Sequence, residues 1–290
     1  MTVNEETDDL DLLINLTVDQ AEQLVLAQSE NLWLYRLTHL SPDVAMVLAR
    51  QQGNLNFPAL PKLSLEAADA LAKHQGDLAL TGLTEISDEV AEALSNHAGR
   101  YLSLDGVVSL SERAAEAIAK YRGNLELDSL TTLSDRMAAA FSEHQGFLGL
   151  YALVELSDAA AEALSRHRGS LTLDGLTSIS EIAAKAFATH NGRLSLGGLS
   201  SLSDTAAEQL AKHEGMLFLA GLVTLSDEGA RSMAACKGRL SLADLTTLSQ
   251  AAVEVLAKRR WKLDGDWPEG PPDVLRRHPC FSIDNAGEEH

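Results

Sequence analysis

The sequence predicts an α/β repeat fold, a solenoid of short strand–turn–helix coils with a parallel sheet on one face and short helices on the other. Three observations carry that prediction. "LTLDGLTSISEIAAKAFATHNGR" at residues 171–193 is followed at once by "LSLGGLSSLSDTAAEQLAKHEGM" at 194–216. The shared pattern, LxLxxLxxLSxxxAxxLxxHxG, starts at ten leucines from Leu32 to Leu240 with a period of 23 residues. Its tenth slot holds serine in all ten coils, from Ser41 to Ser249. The coil from Leu78 runs to 24 residues because Tyr101 is inserted before the next strand.

Each slot has a physical reason. Alternating leucines such as Leu171 and Leu173 point to one face of a short strand, while Thr172 and Asp174 point to the other. By the same alternation Leu127, Leu150 and Leu173 face inward. The slot-ten serine precedes an alanine-rich run with early acids such as Asp204, which marks a helix N-terminus. A helix of about ten residues follows, with Ala184 and Phe187, or Ala207 and Leu210, on its inner face. Glycine in slot 22, from Gly53 to Gly238 in nine of the ten coils, predicts a helix end at positive φ where the chain reverses.

One coil cannot bury its own leucines, so the stack needs a cover at each end. Residues 12–31 read as a degenerate half-coil with Leu16, Thr17, Ala21 and Leu24 in the expected slots. Residues 1–31 therefore form an acidic tail and N-terminal cap, and 32–262 the ten repeats. Residues 263–290 form a C-terminal cap and tail, because Trp261 replaces the coil-ending glycine and prolines break the period.

The residues of "LTLDGLTSIS" followed by a helix resemble a leucine-rich repeat. The unit of 23 residues, with its alanine-rich helix and "KHxG" end, is similar to tandem leucine-rich repeats of bacterial proteins over residues 32–262. The chain departs from the plant and animal version in lacking the asparagine after the second strand leucine. The resemblance implies a binding surface or scaffold rather than a catalyst.

Composition narrows the partners. Forty-two acidic against 23 basic residues give a formal net charge of −19, which argues against phosphate backbones and anionic lipid and favours basic proteins. Two cysteines, Cys236 and Cys280, make no disulfide framework, and the opening residues lack a secretory signal, so a cytoplasmic location is expected. No apolar run reaches the roughly 20 residues of a membrane span.

The outward strand slots are where function is expected, because the repeat does not dictate them. Asp105, Asp128 and Asp174 occupy slot four with Tyr151, and Glu126 stands on the same face in slot two. Trp33, Tyr35 and Arg36 gather on the first coil, either as interface anchors or packed under the N-terminal cap, and Phe218 stands outward on the ninth. The paired carboxylates also raise a hydrolase reading, but acids on adjacent strands arise automatically when repeats share a slot, on an open face without a pocket. "LGGLSSLS" lacks the lysine and spacing of a phosphate loop, and the serines are caps.

Two further constellations need weighing. Slot 20 holds His74, His97, His144, His167, His190 and His213, interrupted by Tyr121 and Cys236. The column is either a metal ladder or a set of helix-end residues that bond free carbonyls and complement the dipole, and the second reading is preferred. No cofactor is expected. "KRRWK" at 258–262 offers phosphate contacts or a targeting signal, yet Asp264, Asp266 and Glu269 follow it directly and favour a terminal cap.

Overall fold

Leucines that share one strand face must be covered by the leucines of the next coil, and that demand sets the register throughout the chain. A computed structural model describes residues 14–27, 30–259, 261–262, 272–276 and 283–284. The acidic tail residues Glu5, Glu6, Asp8, Asp9 and Asp11, Cys280 and most of the C-terminal cap lie outside them. Two compact units divide the chain, Met1–Gly149 and Leu150–His290.

In the first unit β1 (Leu32–Trp33), β2 (Leu55–Asn56), β3 (Leu78–Ala79), β4 (Tyr101–Ser103), β5 (Asn124–Glu126) and β6 (Leu148–Gly149) pair in parallel and in sequence order. Leu55 lies opposite Leu78, and Leu78 opposite Leu102, even though the latter step is one residue longer. Leucine burial, not residue count, fixes the register. The extra residue, Tyr101, becomes the first residue of β4 and pairs with Asn124. In the second unit β7 (Leu171–Thr172), β8 (Leu194–Ser195), β9 (Met216–Phe218) and β10 (Arg239–Ser241) repeat the arrangement, with Leu171 opposite Leu194 and Leu217 opposite Leu240. Leu127, Leu150 and Leu173 are fully buried, as alternation requires. A pairing that the sequence does not announce joins β11 (Trp261–Lys262) to β12 (Ile283–Asp284).

The helices run from α2 (Pro42–Leu48) to α11 (Gln250–Ala257) and are seven or eight residues long rather than ten. After the last α-helical residue the chain tightens into i→i−3 bonds, as in Arg50 N–H to the Val47 carbonyl at 3.0 Å and Gln51 N–H to that of Leu48 at 2.9 Å. Their inner slots are mostly alanine: Ala67, Ala68 and Ala70 in one coil and Ala160, Ala161 and Ala163 in another are nearly inaccessible, which lets neighbouring helices lie close. Ahead of them α1 (Val18–Ala27) buries Ala21 and Leu24, and Thr17 and Gln20 form a reciprocal capping box at its start.

The serine column does more than cap. Ser180 has extended backbone, φ −73° and ψ 165°, and its hydroxyl accepts from Ala183 N–H at 2.9 Å. The same hydroxyl donates to the Asp158 carboxylate one coil earlier. Ser111 with Asp88, Ser226 with Asp204 and Ser249 with Asp227 repeat this bond, and Ser134 makes it to Glu112 at 3.1 Å. An Asp cap accepts equally well but cannot donate, and it would set two carboxylates against each other. Replacing Ser180 by Ala is expected to cost about 1–2 kcal/mol, more than a cap alone, with unchanged helical circular dichroism; a urea melt reads it.

The slot-22 glycines have a different cause from the one the sequence predicts. None of the described glycines has positive φ. A Cβ on Gly99 would instead lie 2.0 Å from the Gly76 carbonyl oxygen, and one on Gly192 would lie 2.2 Å from that of Gly169. Successive coils touch backbone to backbone there, and no side chain fits between them.

Candidate functional site

The outward face of the first unit carries the densest chemistry. Ser103 ends β4 and Glu126 ends β5, and Asp105 and Asp128 follow two residues after them in the same slots of successive coils. Asp105, Glu126 and Asp128 can each offer one oxygen within 4.8 Å of the others. Asp105 is held from two sides: Ser103 Oγ donates to it at 2.8 Å, and Asp128 N–H points at it at 3.4 Å. The inserted Tyr101 donates its hydroxyl to Glu126. Burial pushes the Glu126 carboxyl above its usual range and the Asp105 charge adds to that, while the Tyr101 hydroxyl works in the other direction. Burial, then Glu126, pushes the Tyr101 phenol up as well.

Gly149, in β6, is buried and leaves room for the Asp128 carboxylate to lie against it. A Cβ there would stand 2.6 Å from Asp128 Oδ1. Three carboxylates at this spacing suit a hard cation, an ammonium or a guanidinium. Neither Tyr101 nor Gly149 stood out as a site residue in the sequence, although the coil of 24 residues marked the tyrosine as an exception.

Trp33 and Tyr35 stack on each other at 5.6 Å between ring centroids with planes 12° apart, and they stay 45% and 52% exposed. Arg36 beside them is exposed. The neighbouring slot-two and slot-four positions, Asn56, Pro58, Ala79 and Thr81, carry no charge.

On the second unit Tyr151 is exposed, and Asp174 is half-buried with its Oδ1 accepting the Gly197 N–H at 2.7 Å. Asp174 and Asp105 thus share a structural task in which a slot-four carboxylate receives the slot-four N–H of the following coil. Phe218 departs from the sequence expectation. It is 5% exposed, with the Arg193 guanidinium 4.1 Å from its ring centroid. Thr172 and Ser195 in the same slot are buried too, so closely spaced strands close slot two even on the outward face.

Slot 20 proves to be interior. Tyr121 donates to the Gly99 carbonyl at 2.9 Å, and at the two ends of the column Gln51 donates to Glu30 at 2.6 Å and Arg259 to Gly238 at 2.6 Å. These three reach the slot-22 carbonyl of the preceding coil, whereas His74 Nδ1 lies 3.4 Å from the Ala49 carbonyl and His144 Nε2 lies 3.3 Å from that of Phe147. The imidazoles do not complement a dipole as cations, because burial holds His74, His144, His190 and His213 below the usual 6.5 and His97 at about 4. Near-parallel stacking, as in His190 on His213 at 5°, sends the nitrogen lone pairs along parallel directions rather than onto one ion.

One arginine of the basic cluster is turned inward, while Lys258 is exposed. Arg259 bonds the carbonyls of Met233, Ala234, Cys236 and Gly238 and lies over Trp261, which is 3% exposed. It acts as a lid for the last coil and leaves no guanidinium edge for phosphate. Arg260 lies outside the described residues. No helix among the described residues is long and apolar enough to cross a membrane.

No protein-family model matches the chain, and no curated protein matches it. Among solved structures it is similar to an internalin from Listeria monocytogenes, with 14% identity over 94% of this chain and 78% of that one and a TM-score of 0.46. A leucine-rich-repeat protein from Leptospira interrogans has 20% identity over 94% and 76% of the two chains, with a TM-score of 0.45. Parallel strands held leucine on leucine, each followed by a capped helix and a return turn, give this chain a leucine-rich-repeat fold.

Proposed function

We propose that the chain is a protein-binding or scaffolding module, and that the outward strand face of its first unit takes a basic segment of a partner protein. The carboxylates of Asp105, Glu126 and Asp128, with oxygens within 4.8 Å of one another, carry this reading. Trp33, Tyr35 and Arg36 supply an anchor on the same unit, since half-exposed aromatic residues and arginine contribute most to interfaces. Tyr151 and Asp174 offer the same chemistry on the second unit. The acidic balance of the chain, −19, steers basic partners and repels nucleic acid and anionic membrane.

A binding role fits these acids better than a hydrolytic one. Asp105 is held by Ser103 and faced by Asp128 N–H, and Glu126 receives Tyr101, so two of these three half-buried carboxylates are already fixed by their own neighbours. The buried, unbridged Cys236 thiol fits a reducing, cytoplasmic setting.

The test uses partners captured from the source cells on the wild-type protein, with association followed at two ionic strengths. Replacing Asp105 and Asp128 by Asn and Glu126 by Gln is expected to slow association by up to roughly tenfold at low salt and to flatten its salt dependence. Replacing Trp33 and Tyr35 by Ala is expected to speed dissociation and cost about 2 kcal/mol or more. If neither set changes either rate for any partner, the first unit's strand face is not the binding site.

A further inference from the structure

Slot 20 lines up most of the chain's buried titratable groups. In the second unit His167, His190 and His213 are 1%, 2% and 0% exposed, and their rings stack at 6.1 and 6.2 Å. In the first unit His74 stacks on His97 at 6.2 Å, and Tyr121 closes on His97 at 5.9 Å. The spacing follows the rise of the coils, so the rings cannot separate without opening the stack.

The surroundings of these rings offer little to a cation. His190 is faced by the His167 and His213 imidazoles and by the carbonyls of Ser165, Gly169 and Arg193. The His213 ring is faced by His190 and by the carbonyls of Phe187, Gly192 and Met216, and its own backbone carbonyl lies 3.8 Å from the Cys236 thiol, which burial keeps protonated. Neither nitrogen of His97, His190 or His213 makes a well-formed hydrogen bond, so the carbonyls around them stand at poor angles. In the first unit His97 has His74 and Tyr121 on its two faces and the carbonyls of Leu71, Gly76 and Tyr101 at its edge. Asp77 favours a charged His74, but burial outweighs it. A proton on any ring gives up its hydration and then repels the next imidazole, about 6 Å away.

We propose that this buried imidazole column makes the repeat stack an acid-sensitive element, stable with neutral rings and opened in mildly acidic solution as the unfolded chain takes up protons that the stack refuses. The sign follows from linkage. A histidine whose folded pKa lies below its unfolded value of 6.5 leaves stability intact above about pH 6.5. Below that pH the unfolded chain binds the proton first, and stability falls until the folded pKa is reached, at about 4 for His97. Each such histidine raises the unfolding constant about tenfold per pH unit in that window, and several in one column multiply. Two other effects push the other way. Neutralising part of a −19 chain relieves repulsion, and Glu126, raised by burial, gains stability as pH falls. A loss of stability between about pH 6.5 and 5, above the range where ordinary carboxylates titrate, is therefore the signature of the imidazoles.

The protein shows which substitutions test this, because Gln51 fills the same slot and donates to the Glu30 carbonyl at 2.6 Å. Urea unfolding of the full chain between about pH 7.5 and 5 should show wild type losing stability steeply below about pH 6.5. The double variant His190→Gln, His213→Gln should lose up to about two decades per pH unit of that slope while keeping its circular dichroism at neutral pH. A folded double variant with the wild-type slope, or a wild type as stable at about pH 5 as at 7.5, overturns the proposal. Imidazole nitrogen shifts of the folded wild type decide the matter if the variant does not fold. Neutral rings at about pH 5.5 support the proposal, and charged rings in an intact fold refute it.

Discussion

Replacing Gly99 by alanine is expected to cost about 3 kcal/mol or more and to lower the urea midpoint of the first unit far beyond what one methyl group ordinarily does. The added Cβ would lie 2.0 Å from the Gly76 carbonyl oxygen, 2.9 Å from its carbon and 2.5 Å from Nε2 of the buried His97. Two of those three atoms are backbone, held by the neighbouring coil. Relief requires the coils to part, which breaks register on both sides because each coil is covered only by its neighbours. Gly197→Ala is the control. The three atoms nearest its Cβ would all belong to the Asp174 carboxylate, from 3.1 Å outward, and a slight shift of that side chain keeps its bond to Gly197 N–H, so a change within about 1 kcal/mol is expected. Equal effects from the two substitutions would show that the coil contact at Gly99 is not the reason for glycine in that slot.

The strands, their parallel register and the inward leucines were legible because ten copies of one pattern repeat the same statement about faces. Period-two alternation then places Asp105, Glu126 and Asp128 on the outward side without further information. What was not legible depends on the distance between coils. The bond from Ser180 to Asp158 and that from Gly197 N–H to Asp174 join equivalent slots or their neighbours across one coil step, and only the stacked geometry brings them within reach. The helices end early for a local reason, the i→i−3 bonds that turn each chain back towards its strand. Alternation places Phe218 outward, yet closely spaced strands and Arg193 cover it. The histidines lie past the shortened helices, in the turn that leads back to the strand. A helix-end position in sequence became an interior position once the next coil lay on it, and burial then favoured the neutral ring.

The site shows the same division. Tyr101 stands out in the sequence as an extra residue, and a break in period says nothing about chemistry. In the fold it begins β4 and turns its hydroxyl to Glu126, so the irregular coil tunes the acidic group. Asp105 and Asp174 carry charge that a partner can read and also hold the following coil's backbone. Asn replacements remove the charge while keeping the side chain's shape and one acceptor oxygen, which is why the binding test uses Asn and not Ala; at Asp105, where both oxygens accept, one of the two contacts is given up.

Phe187→Ala is expected to cost about 3–5 kcal/mol, and Phe187→Leu less than about 1.5 kcal/mol. Phe187 ends its helix with no exposed surface, above Ala183 and Ala184, and the neighbouring coils place Leu164 and Leu210 in the same slot. Leucine therefore already suits the slot's direction and most of its volume. Alanine would leave a void among side chains too small to fill it, because the surrounding helix positions are themselves alanine. A repeat stack has no distant core to share the loss, so the cost falls on the contacts of one coil with its neighbours. Amide exchange should accelerate first in β7, β8 and β9, and the urea transition of the second unit should move to lower concentration with the Ala variant alone. An Ala variant within about 1 kcal/mol of wild type would mean that the helices close over the void, and that alanine sets their spacing without the large side chain in slot 17.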